Sequence, residues 1–368
     1  MLRAGIQLAE SDAEKEAVYR LRYDVYVQEM GRYGASADHA NRRLTEPEDE
    51  TGRIYYAAKD GRVVATQRLS WGGDAPFSSR LIEQYQLAPF LAEMAPERIA
   101  VGERAMVIPA LRGSALFREL QQASHSLISE NRVELVFGCC EPHLLSLYVG
   151  QGCRTYSKRN IAGKETGFLI PLVTVVEDVA YLRSIGSPSA ATAKDWGADA
   201  RIPDCVERLI TNGGNVISQR LTASGAYWGE VHGALERLEV TRIGPFDGLG
   251  EEQAQRCLGK SNILACAAGD RVLKKGGVAR NMFVVLDGNL EVRDGETLVR
   301  ILSPGDVFGE MAFLLEQPRA ADVYAATDAR ILSLSEGTLR KLIESDPDVA
   351  AGLLLNVSKM LCRRILNG

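Results

Sequence analysis

Residues 308–323 hold the side chains whose types and spacing speak most directly of chemistry: a Gly309-Glu310 pair, a short apolar run, and then Arg319. A phosphate ester taken out of water needs backbone N–H donors and a cation, and a sugar hydroxyl beside it needs a carboxylate acceptor. Arg319 and Glu310 supply the two side-chain groups. The plain alternative is a surface turn with an ordinary ion pair, and the neighbouring elements weigh against it. Gly269-Asp270, Gly276-Gly277, Asp287-Gly288, Asp294-Gly295 and Pro304-Gly305-Asp306 punctuate apolar runs at 282–286, 290–292 and 298–302. Turns at this density between short strands predict a small β jelly roll.

Over residues 247–366 the sequence resembles the cyclic-nucleotide-binding domain family, whose phosphate cassette reads Phe-Gly-Glu, a small apolar stretch, then Arg-Ala-Ala before a strand. The resemblance implies a nucleotide site built from Phe308, Gly309, Glu310, Met311, Arg319, Ala320 and Ala321. Glu310 would accept the ribose 2′-hydroxyl and Arg319 would hold the exocyclic phosphate oxygens. Members that prefer cGMP often carry threonine where Ala320 stands, so the resemblance points to cAMP. Alternation along the following strand would turn Asp322 away from the side shared by Ala321 and Val323. Only Asn367 and Gly368 follow the last expected helix, which leaves no room for a helix-turn-helix module. The formal net charge of −5 gives no footprint for nucleic acid. The output is therefore expected upstream.

The chain of 368 residues is long enough for two or three domains, and 46% hydrophobic with 25% charged residues is an ordinary globular balance. The 7 cysteines lack metal-ligand spacing and are expected as reduced thiols, with no metal. The longest apolar stretch, 168–176, is too short to span a bilayer and contains Pro171. No leader is visible at Met1-Leu2-Arg3, so the cytoplasm is the expected compartment.

The elements that must position an output alternate in an α/β manner. Ser11 with Glu14 forms a capping box for a helix to about Val27, and a hairpin at 55–69 turns at Asp60-Gly61. A strand at 99–108 leads through Pro109 to a helix from about 116 to 130. A strand at 133–137, a helix near 143–149 and a last hairpin that includes 167–172 follow. This order resembles the GNAT-type N-acyltransferase fold, over roughly residues 8–175. The fold class expected is thus α+β and α/β mixed: a GNAT-type domain at 1–175, a helical connector at 176–246, and the jelly roll at 247–368. The segment Val107-Ile-Pro-Ala-Leu-Arg-Gly113 resembles that family's entry into its pyrophosphate loop. The resemblance implies a cradle at Val107, Arg112, Gly113, Ser114 and Ala115 for the phosphates of coenzyme A, although Ala115 and Phe117 stand where glycines are usual. Tyr148 resembles the tyrosine that protonates the departing thiolate.

Within that fold the autoinducer synthases and long-chain N-acyl amino acid synthases match best. The match begins in the first-helix block Tyr19-Arg-Leu-Arg-Tyr-Asp-Val-Tyr-Val-Gln-Glu29. Glu46 and Asp49 resemble their paired acids, and Arg68 and Arg104 their strand arginines. Glu103 stands two residues from Val101, where many carry a glutamate. Such chemistry needs a deprotonated amine, a nitrogen held near the thioester carbon, and donors for the oxyanion. One or two of Asp49, Glu46 and Glu103 would serve as base or hold the amine through water, and Arg68 and Arg104 would neutralise an acceptor carboxylate. The ordinary readings are a solvated acidic face at 46–50 and an anchoring aromatic at Tyr148. Arg154, Lys158, Arg159 and Lys164 form a basic cluster suited either to an acidic carrier protein or to plain solvation.

Between the domains, 186–193 reads as a linker, while 206–210 and 227–238 carry helical periodicity with a stripe at Trp228, Val231, Leu235 and Leu238. The reading as a whole is an N-acyltransferase regulated by cAMP. Its donor is an acyl carrier protein phosphopantetheine thioester or acyl-CoA, its acceptor a small-molecule amine, and a homodimer is left open. Two alternatives stand: a non-catalytic cAMP-binding interaction protein, and a cAMP-controlled protein lysine acetyltransferase.

Overall fold

The Ser11 hydroxyl accepts from the Glu14 backbone N–H while the Glu14 carboxylate accepts from the Ser11 backbone, so the predicted capping box opens the first helix, α1 (Asp12–Arg22). That helix continues as π-helical turns from Tyr23 to Glu29. The computed structural model describes residues 2–190, 204–211, 214–218, 221, 227, 229–230, 233, 244–258, 261–315 and 317–367. The stripe predicted at Trp228, Val231, Leu235 and Leu238 lies outside them, as does the end of the linker from 191. The molecule pairs a mixed α/β N-terminal region with a β-rich C-terminal one. Two units are distinguished: 1–140 with 146–156 and 171–213, and 141–145 with 157–170 and 214–368. The second unit thus takes in two short segments that the sequence reading assigns to the first domain. No helix of the described residues is long and apolar enough to cross a membrane.

The first unit is built on a seven-stranded sheet. Its strands are β1 (Gly5–Leu8), β2 (Arg53–Lys59), β3 (Arg62–Trp71), β4 (Ile99–Val107), β5 (Leu135–Cys140), β6 (Arg154–Thr155) and β7 (Ile170–Val175), in the order β1-β2-β3-β4-β5-β7-β6. Period-2 alternation splits β2 between two layers. Ile54, Tyr56 and Ala58 pack with Val18 of α1, whereas Tyr55 and Ala57 pack with Leu120 and Leu127 on the other face. Those leucines come from α4 (Leu116–Ala123) and α5 (His125–Glu130), after the short α2 (Ser79–Gln84) and α3 (Ala88–Leu91). The single helix predicted at 116–130 is broken at Ser124, whose hydroxyl donates to the Gln121 carbonyl at 2.8 Å and competes with the helix ladder. The predicted helix at 143–149 begins as a 3₁₀ turn at Pro142–Leu144 and runs on as α6 (Leu145–Gln151), and α7 (Val179–Ser184) follows β7. The periodic segment at 206–210 forms α8 (Asp204–Thr211).

One irregularity in this sheet matters for the site. β4 and β5 run parallel but pair only from Ile99–Leu135 to Val101–Phe137. The β3–β4 register slips between Thr66 and Arg68, and Arg104 opposite the slip is left-handed at φ 56°. A bulge of this kind bends its strand, and β4 leaves β5 there.

The second unit holds two sheets. β8 (Val216–Ser218), β9 (Asn262–Cys266), β11 (Asn281–Asp287), β14 (Val307–Phe308) and β16 (Ala329–Ser335) are ordered β14-β11-β16-β9-β8. β10 (Arg271–Leu273), β12 (Leu290–Asp294), β13 (Thr297–Leu302) and β15 (Asp322–Ala325) are ordered β10-β15-β12-β13. Met282, Val284, Leu332 and Leu334 pack against Leu339, Leu342, Leu353 and Val357 of the helices Glu336–Ser345 and Pro347–Asn367.

Candidate functional site

In the first unit, four arginines and four carboxylates from distant parts of the sequence form one cluster. Asp49 is gripped by Arg22 Nη1 at 2.7 Å and Arg68 Nη1 at 2.8 Å, while Arg68 Nη2 reaches Glu103 at 2.7 Å and Glu46 at 2.9 Å. Arg80 binds Glu48 and Glu103, and Arg104 Nε donates to Glu46 at 2.7 Å. Of the residues expected from sequence, Glu46, Asp49, Arg68, Glu103 and Arg104 therefore meet. Arg22, Glu48, Arg80 and Tyr85, which donates to Glu103 at 3.1 Å, were not singled out. Arg22 lay inside the matched first block, so its register on the helix was the available signal; Arg80, in the short α2, carried none.

Burial opposes charge on Glu46, but the Arg104 hydrogen bond and the charges of Arg104, Arg68 and Arg80 outweigh it and hold the carboxyl at about 2. Burial likewise works against the Glu103 carboxylate, and Arg80 and Arg68 pull it below the ordinary range. Arg104 is stacked between the rings of Tyr26, at 5.2 Å, and Tyr33, at 4.6 Å. These contacts offset the cost of its left-handed backbone. Fully buried Arg68 is balanced by three carboxylates, whereas Nε and Nη2 of Arg22 have no partner among the described residues.

Where β4 leaves β5, a cavity of about 100 Å³ opens. Gly102 and Glu103 line it from β4, Phe137 and Gly138 from β5, and Tyr148 from α6. Burial pushes the Tyr148 phenol well above its usual value. In the expected pyrophosphate loop two side chains already have partners within the chain. Arg112 forms a two-pronged ion pair with Glu29 and donates to the Val107 carbonyl, and the Ser114 hydroxyl donates to Leu111. Gly113 has φ 80°, and Ala115 caps α4 without a side-chain bond. Of the expected basic cluster, Arg154 pairs with Asp178 and lies over the Tyr181 ring in the first unit, while Lys158, Arg159 and Lys164 belong to the second.

In the second unit, β14 delivers Phe308, stacked on Phe283 at 5.0 Å, to the turn at Gly309 and the helix Glu310–Leu315. Arg319 is buried, and its Nη1 donates to the Gly309 carbonyl at 2.5 Å while Nη2 donates to the Asn281 carbonyl and amide oxygen at 2.6 and 2.7 Å. All these acceptors are neutral, and Nε has no partner among the described residues. Burial therefore pushes the guanidinium down to about 10, against the charges of Glu310 and Glu141. A buried cation whose partners are all neutral is electrostatically suited to an anion. Gly309 is required: its φ is 74°, and a Cβ there would lie 2.5 Å from Arg319 Nη1. Asp322 accepts from the Lys275 backbone N–H at 3.1 Å. Met311 and Ala320 are exposed, and Ala321 is half-buried.

Residues 264–346 match the family model of the cyclic nucleotide-binding domain. The chain carries such a domain at its C-terminal end. The chain is also similar to the Pycsar effector protein XpPycTIR of Xanthomonas perforans, with 30% identity over 115 residues, 31% of this chain and 38% of that one. A cAMP-dependent protein kinase regulatory subunit of Yarrowia lipolytica is 30% identical over 139 residues, 34% of this chain and 37% of that one. A solved cyclic nucleotide-binding domain from Methylobacillus flagellatus matches at 18% identity and TM-score 0.35, over 42% of this chain and 85% of that one. The chain spans less than two-fifths of the length of these two curated relatives.

Two features adjoin Glu310 and Arg319 in the second unit. Arg364, near the end of the helix Pro347–Asn367, donates to Glu310 at 2.8 Å and also to the Val307 carbonyl. In addition, residues 157–170 pack onto the edge strand β10. The Phe168 N–H donates to the Arg271 carbonyl at 2.6 Å, the Arg271 guanidinium reaches the carbonyls of Gly163 and Thr166, and a Cβ at Gly167 would lie 2.2 Å from the Val272 carbonyl. β10 leads into Gly276 and Gly277, which exchange backbone hydrogen bonds with Arg319, each 2.8 Å.

Proposed function

We propose that the chain is an N-acyltransferase controlled by a cyclic nucleotide. It moves an acyl group from a phosphopantetheine thioester, carried on acyl carrier protein or coenzyme A, to the amine of a small acceptor such as an amino acid. The supporting observation is the cavity at the parting of β4 and β5, with Glu103 and Tyr148 in its walls and a cluster of arginines and carboxylates beside it. In the reaction the acceptor nitrogen bonds the thioester carbon, the C–S bond breaks, and the proton shed by nitrogen balances the released thiolate. Glu103 is ionised across the neutral range, so it attracts the ammonium form and relays its proton through water. Tyr148, kept protonated by burial, donates to the departing sulfur. Arg68 and Arg104 position the acids. Because Arg112 and Ser114 already spend their side-chain groups within the chain, a carrier-protein donor is favoured over coenzyme A.

The nucleotide is proposed to be cAMP, held by Arg319 and Glu310. Ala320 offers no hydroxyl, and one relative is named as a cAMP-dependent kinase regulatory subunit. Control is proposed to run through residues 157–170, which touch β10 and continue covalently into β7, whose Leu172 and Thr174 line the cavity. Full-length protein would be incubated with carrier-protein thioesters, acyl-CoA and pooled amino acids, with and without cAMP, and read by mass spectrometry. An N-acyl product whose rate changes with cAMP is expected. A chain that binds cAMP yet transfers from no thioester is instead a nucleotide-sensing interaction protein.

A further inference from the structure

The resemblance leaves the length of the acyl group open, and the cavity sets a limit on it. At about 100 Å³ it is smaller than the roughly 150 Å³ apolar cavity that takes one benzene, so it fits about four carbons. We infer that the acyl group is short, about the size of butanoyl, and that Leu182 of α7 sets this limit.

Leu182 lines the cavity and is fully buried. Its Cδ2 is pressed so closely over Gly152 that a Cβ there would lie 2.4 Å away. The wall it forms is pinned at both ends. Asp178 caps α7 by accepting from the Tyr181 N–H at 3.1 Å and pairs with Arg154. Past the helix, the Ser187 N–H donates to the Leu182 carbonyl at 2.8 Å, and the hydroxyls of Ser187 and Ser189 donate to the Gln151 carbonyl. With the backbone of α7 held at both ends, the helix cannot swing aside for a longer substrate, so the volume of the Leu182 side chain is the boundary.

The inference rests on the acyltransferase reading, and the test separates the two. Full-length wild type, Leu182→Ala, Leu182→Val and Leu182→Phe would be given carrier-protein thioesters from acetyl to dodecanoyl. The same acyl groups on pantetheine would be scored by thermal shift, with circular dichroism as a check on folding. Wild type should prefer butanoyl. Leu182→Ala removes three side-chain carbons and should move the optimum up by about three, Leu182→Val by about one, and Leu182→Phe should move it down to acetyl. If Leu182→Ala does not fold, the Val and Phe variants carry the test in opposite directions. Transfer that peaks at decanoyl in wild type, or an optimum unmoved in the folded variants, overturns the inference and leaves the acyltransferase standing. No transfer of any chain, with stabilisation by butanoyl-pantetheine and not by the octanoyl form, overturns the activity and supports the size limit. Neither transfer nor stabilisation overturns both.

Discussion

Arg319 and Arg104 are both buried guanidinium groups, and what surrounds them predicts opposite behaviour on substitution. Arg319 faces only neutral acceptors, so its charge is spent when an anion arrives. Arg319→Ala should weaken cAMP binding in the full chain by roughly 2–5 kcal/mol, read by calorimetry. Arg364 contributes in the other sense, because it occupies the carboxylate that a ribose hydroxyl would use. Arg364→Ala should tighten binding by about twofold to fivefold, the range expected for a partly exposed ion pair; weaker binding would mean that Arg364 contacts the ligand instead. In the acyltransferase reading, Tyr148→Phe should lower kcat by roughly a hundredfold with little change in acceptor KM. With Glu103 held ionised, kcat/KM should show no acid limb from this group above about pH 5 and should rise toward the acceptor amine pKa.

At the scale of elements, the proposed route for nucleotide control is residues 157–170, whereas a linear reading offers the connector at 176–246. The sequence directs attention to the connector, because covalent joins are all that a linear reading offers. A hairpin that includes 167–172 is expected from sequence, whereas residues 157–170 meet β10 through the Phe168 N–H and through the Arg271 guanidinium, whose acceptors are backbone carbonyls that carry no sequence signal. The close approach at Gly167 supplies a test. Gly167→Ala should leave cAMP affinity within about twofold and abolish the effect of cAMP on transfer, since the Cβ would drive the segment off Val272. An intact response would return attention to the connector. The turn-punctuated strands and the cassette were legible because turn residues and periodicity are local properties. Strands β1 and β8 were not, being only 4 and 3 residues long and defined by the partners they pair with. The charge cluster was legible in part. Its strand arginines and paired acids sit in recognisable blocks, but Arg80 and Tyr85 enter from short elements after the β3 turn, and only the folded chain brings them to Glu103.

For the molecule as a whole, the carboxylates held below their ordinary values make stability depend on acid. The folded-state values of Glu46, Glu48 and Glu103 are depressed, so their contribution is fully present above the ordinary carboxylate value near 4.5 and drains away as the pH falls through the folded value, about 2 for Glu46. Melting temperature followed from pH 7 downward should hold to about pH 5 and then fall steeply, and Glu46→Gln should flatten that fall. A melting temperature that declines evenly from neutrality would place the acid sensitivity elsewhere. The segment at 157–170 also has a consequence for synthesis. Arg271 and its acceptor Thr166 are 105 residues apart. At the usual pace of translation, about 5–20 residues per second, the segment leaves the ribosome roughly 5–20 s before the strand that covers it. For that interval its backbone groups are bare, and a nascent chain stalled in the connector would present them to any passing strand edge. Supplying residues 214–368 in trans to a stalled 1–213 chain should cover them again. The second unit is complete only when its early segment and its late strands have both been made.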